Sequence, residues 1–151
     1  MTKELNILLA DDDMDDRFFF DEALKACAIP YILTALENGE ELMAHLLQNT
    51  ARLPDVLFLD LNIPRKNGLE CLEEIKTNNA LSHLPVIMYS TSLHQDVANL
   101  LYTKGAHYYI RKAGLEELQK TLHFILTKMT DKKFSRPSRD HFILSQDLSA
   151  L

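Results

Sequence analysis

The sequence predicts a doubly wound α/β domain, a parallel sheet covered on both faces by helices. Five short apolar runs recur along the chain. They show little polar alternation, as strands buried on both faces do. Between them lie segments with apolar residues at helical spacing, which serve as the crossovers that parallel strands require. With 151 residues, 46% of them hydrophobic, the chain is long enough for one domain with its own core.

Leu5 to Ala10 (LNILLA) is the first predicted strand, Tyr31 to Leu36 the second and Val56 to Leu59 the third. Val86 to Tyr89 and His107 to Ile110 are the fourth and fifth. Phe20, Ala23, Leu24 and Cys27 fall at i, i+3, i+4 and i+7, so the first crossover is an amphipathic helix. Of Phe18, Phe19 and Phe20, which cannot share one helix face, one or two belong to the core and another is exposed. The helix after strand three is expected to begin near Gly68 or Leu69, behind a loop shaped by Pro64 and an Asn67-Gly68 turn pair. Val97, Leu100 and Leu101 start the stripe of a further helix that ends near Lys104 and Gly105. Leu115, Leu118, Leu122, Ile125 and Met129 run through the last long one. We therefore place a domain over residues 1–130 and a tail over 131–151, where the composition turns polar and basic (DKKFSRPSRD). Leu144, Leu148 and Leu151 of that tail could form one face of a short docking helix, too short to be stable without a surface.

Composition excludes several functions. A formal net charge of −6 argues against a general nucleic-acid surface, which needs clustered Lys and Arg. Cys27 and Cys71 lack metal-type spacing and read as reduced thiols of a cytosolic protein. The six histidines show no close ligand spacing either. No apolar run is long enough for a signal peptide or a membrane helix, so the expected location is cytoplasmic, away from membranes.

The chemistry lies where strands end, the place at which open α/β sheets bind ligands. LLADDDMDD sets Asp11, Asp12 and Asp13 directly after strand one. These acids either complement the following helix N-terminus, as Asp15 and Asp16 would, or hold a hard cation such as Mg2+, which relieves the repulsion of adjacent carboxylates. Strand three ends on Asp60, in FLDLNIPRKNG, either as a cap or turn acid or as a third carboxylate at the same edge. Ser90 ends strand four in PVIMYSTS, where its hydroxyl could cap a helix or bind a phosphoryl oxygen. Lys112 follows strand five in YYIRKAG, as an ordinary surface lysine or as a cation facing those acids.

Acid pair, acid, hydroxyl and lysine on successive strand ends resemble the response-regulator receiver domains of two-component signalling, of the stand-alone, chemotaxis-regulator-like kind. The resemblance covers about residues 5 to 129 and extends to the Asp60–Ser90 and Ser90–Lys112 intervals. It implies a flavodoxin-like (βα)5 fold with strand order 2-1-3-4-5. It implies that Asp60 accepts a phosphoryl group from a histidine kinase or histidine phosphotransfer protein. Mg2+ would be held by Asp12 and Asp60, by the backbone carbonyl of Asn62 and through water by Asp11. Lys112 would pair with the phosphoryl group, Ser90 would move toward it, and Tyr109 would change rotamer as Ser90 moves. Asn62 and Thr91 would tune the lifetime of the bond. The protein would then be a phosphoacceptor rather than an enzyme in the ordinary sense, signalling by contact with a downstream protein.

This chain departs from the family in two places. Ala113 stands where a proline usually follows the lysine, often with a cis bond that costs a non-proline residue roughly 2.5–4 kcal/mol. Ser90 replaces the commoner threonine and loses its β-branch. Two other functions compete. A phosphatase of the haloacid dehalogenase type needs a general acid two residues after the aspartate, where Asn62 stands. A non-phosphorylated scaffold would use only the fold. Too little chain follows the last helix for a DNA-binding domain, so no direct DNA contact is expected. The resemblance implies that the face of helix four, strand five and helix five carries the signal outward, and the tail is expected either to build a homodimer or to cover that output face.

Overall fold

The computed structural model describes residues 4–144. Six strands form one sheet: β1 (Leu5–Ala10), β2 (Tyr31–Leu36), β3 (Val56–Asp60), β4 (Val86–Ser90), β5 (Tyr108–Arg111) and β6 (Ile143–Leu144). Five helices connect or follow the first five: α1 (Met14–Ala26), α2 (Gly39–Gln48), α3 (Gly68–Thr77), α4 (Gln95–Thr103) and α5 (Leu115–Thr130). The order is β2-β1-β3-β4-β5-β6 and every pairing is parallel. The expected order thus stands, extended by one strand.

Strand alternation divides the core in two. Ile7, Leu9, Val56, Phe58, Ile87, Tyr89, Tyr108 and Ile110 face α1 and α5, meeting Phe20, Leu24, Leu118, Leu122 and Ile125. Leu8, Leu57, Leu59, Val86, Met88 and Tyr109 face α2, α3 and α4, meeting Leu42, Leu46, Leu72, Ile75 and Leu101. Every residue of β3 and β4 is buried, Asp60 and Ser90 included, because these central strands are covered on both faces. Phe20 is the phenylalanine taken into the core, while Phe18 and Phe19 are exposed. Leu100 departs from the expected stripe: it is exposed, and Ala98 and Leu101 make the buried face of α4.

The Asn67-Gly68 pair does not form a turn of its own. Asn67 caps α3 in a reciprocal capping box with Glu70, and Gly68 opens the helix. Glycine is required there by a close approach, since a Cβ would lie 2.5 Å from the carbonyl oxygen of Asp60.

After α5 the chain turns back onto the domain. A short 3-10 turn (Arg139–His141) leads into β6, which pairs with β5. Leu144, expected on a helix face, is instead buried in this strand, because the free edge of β5 offers backbone partners that a short helix would not use. Leu148 and Leu151 lie outside the described residues. Both cysteines are free and buried, and burial pushes each thiol up to about 11. No described helix is long and apolar enough to cross a membrane.

Candidate functional site

Sheet register assembles the site. Ala10 stands opposite Leu59, Asp60 opposite Tyr89, and Ser90 opposite Arg111. The residues that end or follow β1, β3, β4 and β5 therefore meet at one edge: Asp11 and Asp12, Asp60, Ser90 and Lys112. The simpler reading of each fails on local geometry. Asp13, not Asp11 or Asp12, caps α1 by accepting from the Asp15 and Asp16 amides. Asn67 rather than Asp60 caps α3, and α4 begins after His94, without a side-chain cap from Ser90.

Asp60 is 3% exposed. One carboxylate oxygen, Oδ1, accepts from the Asn62 amide at 3.0 Å, and Oδ2 lies 2.6 Å from Lys112 Nζ. Asp11 is fully buried; its Oδ1 accepts from the Asp13 amide at 3.0 Å. Its Oδ2 lies 2.9 Å from Lys112 Nζ, but outside hydrogen-bond geometry, so this buried oxygen has a charged neighbour and no donor. Burial raises the Asp11 carboxyl to about 6, against the opposing pull of the Asp13 amide and Lys112.

Lys112 is no ordinary surface lysine, with only 11% of its side chain exposed. Burial opposes its charge, but hydrogen bonds to Asp16 (2.8 Å) and Asp60, and the neighbouring Asp11, outweigh that and raise its pKa. Its ammonium also lies 5.1 Å from the Tyr89 ring centroid. The backbone ties the same strands together, with the Lys112 amide donating to the Ser90 carbonyl at 2.6 Å. No peptide bond among the described residues is cis, the Lys112–Ala113 bond included.

Asp16 is the site residue that sequence reasoning missed. It reads as a first-turn acid complementing the helix dipole, yet it holds Lys112 across the mouth of the site. The available signal was its place one turn into α1 from a strand-end acid cluster, which turns it toward the same edge. The other expected residues fall as follows. Ser90 is buried, Thr91 and Asn62 are exposed beside it and Asp60, and Tyr109 points away from Tyr108 to the α4 face. Tyr109 donates its hydroxyl to the Ser92 carbonyl at 3.0 Å.

One lysine thus stands among Asp11, Asp12, Asp16 and Asp60. Asp11, Asp12 and Asp60 each offer an oxygen, all within 4.8 Å of one another. Together with the donorless Asp11 Oδ2, this set of oxygens suits a small hard cation such as Mg2+.

A doubly wound parallel sheet with this cluster at its C-terminal edge has the architecture of a receiver domain, and the comparisons agree on that family. Residues 7–123 match the model of the response regulator receiver domain, and the chain belongs to that family, the receiver domains of two-component systems. It is 36% identical over 125 residues to response regulator Rcp1 of Synechocystis, covering 79% of this chain and 84% of that protein. The crystal structure of the Mn2+-bound form of Rcp1 superposes with a TM-score of 0.76 at 32% identity, covering 89% of this chain and 99% of that one. That of the phosphorylated cyanobacterial phytochrome response regulator RcpA does so with a TM-score of 0.76 at 31% identity, covering 90% and 100%.

Proposed function

We propose that this protein is a response regulator that takes a phosphoryl group from a histidine kinase or histidine phosphotransfer protein onto Asp60, and signals by altered protein contacts. The observation that carries this reading is Asp60 itself: a buried strand-end carboxylate, oriented by the Asn62 amide and held 2.6 Å from Lys112. In the transfer, an Asp60 oxygen attacks phosphorus. The O–P bond forms as the P–N bond to the donor imidazole breaks, and that electron pair returns to the ring.

Asp12 and Asp60, the Asn62 carbonyl and, through water, Asp11 would hold Mg2+, which when bound spreads the charge of acceptor and phosphoryl oxygens. Lys112 neutralises Asp60 before transfer and pairs with a phosphoryl oxygen after it. Its second partner, Asp16, keeps the ammonium at the site while Asp60 changes charge. Ser90 would donate its hydroxyl to the phosphoryl group, with Tyr109 following its loop, and the exposed Asn62 and Thr91 would tune how water reaches the bond. The Mn2+-bound and phosphorylated relatives support both the metal and the modification.

Intact mass after incubation with Mg2+ and a small-molecule phosphodonor tests the reading. A single phosphate adduct is expected in the wild type, absent in Asp60→Asn and in EDTA. Lack of an adduct where another receiver reacts would favour a scaffold that uses only the fold.

A further inference from the structure

Lys112 is shared among three carboxylates that stand in different relations to the site. Its ammonium lies 2.6 Å from Asp60 Oδ2, 2.8 Å from Asp16 Oδ2 and 2.9 Å from Asp11 Oδ2, and it donates hydrogen bonds to the first two. Asp11 and Asp60 belong to the oxygen cluster that suits a hard cation, and Asp16 does not. Asp16 stands at the mouth, its side chain 32% exposed against 4% for Asp60 and 0% for Asp11. Its position is fixed without Lys112. On one side Asp13 accepts from the Asp16 amide at 3.1 Å; on the other Arg17 donates to the Asp11 carbonyl at 2.8 Å and to Glu37. The first turn of α1 is thus fastened to the loops after β1 and β2, and it presents Asp16 to the lysine from outside the cluster.

This arrangement contains a conflict that Asp16 resolves. A cation bound by Asp11, Asp12 and Asp60 needs oxygens on which the ammonium now lies, and two cations on the same oxygens repel each other. A buried lysine with only those partners would either exclude the metal or lose its own compensation. We propose that Asp16 is the positioning residue that prevents both: it gives Lys112 a seat outside the cluster, so that the ammonium releases Asp11 and Asp60 to a divalent cation and still stays at the site. The proposal rests on the reading of Asp11, Asp12 and Asp60 as cation ligands and extends it to a residue outside the ligand set. The contact with Asp11 shows the direction of release. Asp11 Oδ2 lies close to the ammonium yet receives no hydrogen bond, so Lys112 is already turned toward Asp16 and Asp60. Giving up Asp60 as well leaves the 2.8 Å bond to Asp16 to hold the charge.

Calorimetric titration of Mg2+ into the full chain, without a phosphodonor, tests the seat. Asp16→Asn keeps the shape and removes the charge, and is expected to weaken Mg2+ binding by about tenfold, the lower end of what partners outside a ligand set contribute. In a Lys112→Met background, where no ammonium needs a seat, the same substitution is expected to cost only about twofold, since the effect of Asp16 runs through the lysine. The ammonium gives a second readout that needs no variant. Its NMR signal, slowed in exchange by the hydrogen bond to Asp16, is expected to persist in the wild type at saturating Mg2+ and to vanish in Asp16→Asn. Unchanged affinity in Asp16→Asn, an equally large loss in both backgrounds, or a Lys112 signal lost from the Mg2+-saturated wild type would overturn the role of Asp16 and leave the cation site standing. Absence of Mg2+ binding by the wild type would remove the cation site, and the seat with it.

Discussion

His107 shows how a single side chain can record the docking of the tail. Its ring stacks on Phe134 at 5.6 Å and 8°, and its buried Nδ1 has no hydrogen-bond partner among the described residues. Burial, with Lys76 and Arg136 nearby, depresses its pKa from 6.5 to about 4. The unfolded chain therefore binds a proton between pH 6.5 and 4 that the folded chain refuses, so stability present above pH 6.5 is lost as pH falls. The loss reaches about 3 kcal/mol near pH 4. His107→Phe keeps the stacked ring and removes the titration, so urea unfolding of that variant is expected to show a flatter stability profile across this window than the wild type. The acids of the site obey the same physics in the opposite sense: burial raises the Asp11 carboxyl to about 6, and a hard cation relieves it.

The end of α5, like that of α4 at Gly105, redirects the chain, but without a glycine. Lys132 takes a left-handed conformation, φ 57°, just past its last turn. There the Lys133 amide donates to the Lys128 carbonyl at 2.8 Å and the Lys132 amide to the Met129 carbonyl at 3.1 Å, the pair of bonds that ends a helix by reversing it. A side chain in that conformation costs about 1 kcal/mol, which glycine avoids. Lys132→Gly is accordingly expected to raise stability by about 0.5–1 kcal/mol in urea unfolding, with no change in the site. A decrease would mean that the lysine side chain holds the tail by contacts beyond the turn. At the end of β3 the opposite economy holds: Gly68 lets α3 close against the Asp60 backbone, which fixes the direction from which the carboxylate enters the site.

The whole fold treats the returning segment of the tail as core. Phe142 and Leu144 are as buried as residues of the central strands, one in each half of the core. Phe142→Ala is therefore expected to cost about 3 kcal/mol, as large core truncations do. Phe18→Ala, at a phenylalanine 60% exposed on α1, should stay within about 0.5 kcal/mol. Equal, small effects at both positions would mean that this segment contributes nothing to global stability.

The alternation of apolar runs and helical stripes was sufficient to place five strands, two helical layers and the edge at which Asp11, Asp60, Ser90 and Lys112 meet. Periodicity and strand-end position are local properties of a chain, and the register of a parallel sheet converts them into neighbours. Capping roles needed three dimensions: three consecutive acids look alike in sequence, and only packing buries Asp11, gives Asp13 the α1 cap and leaves Asp12 exposed. The position of Asp16 one turn into α1 pointed to the site edge, but its pairing with Lys112 did not show, because an ion pair between residues far apart in the chain has no periodic signature. The tail was legible as a segment that could cover the output face, but its form, an edge strand rather than a docking helix, was hidden for a related reason. Its polar composition describes a tail, whereas its fate depended on an unpaired β5 edge and on a slot for Phe142 between Tyr102 and Tyr109, neither of which exists until the sheet and α4 have folded.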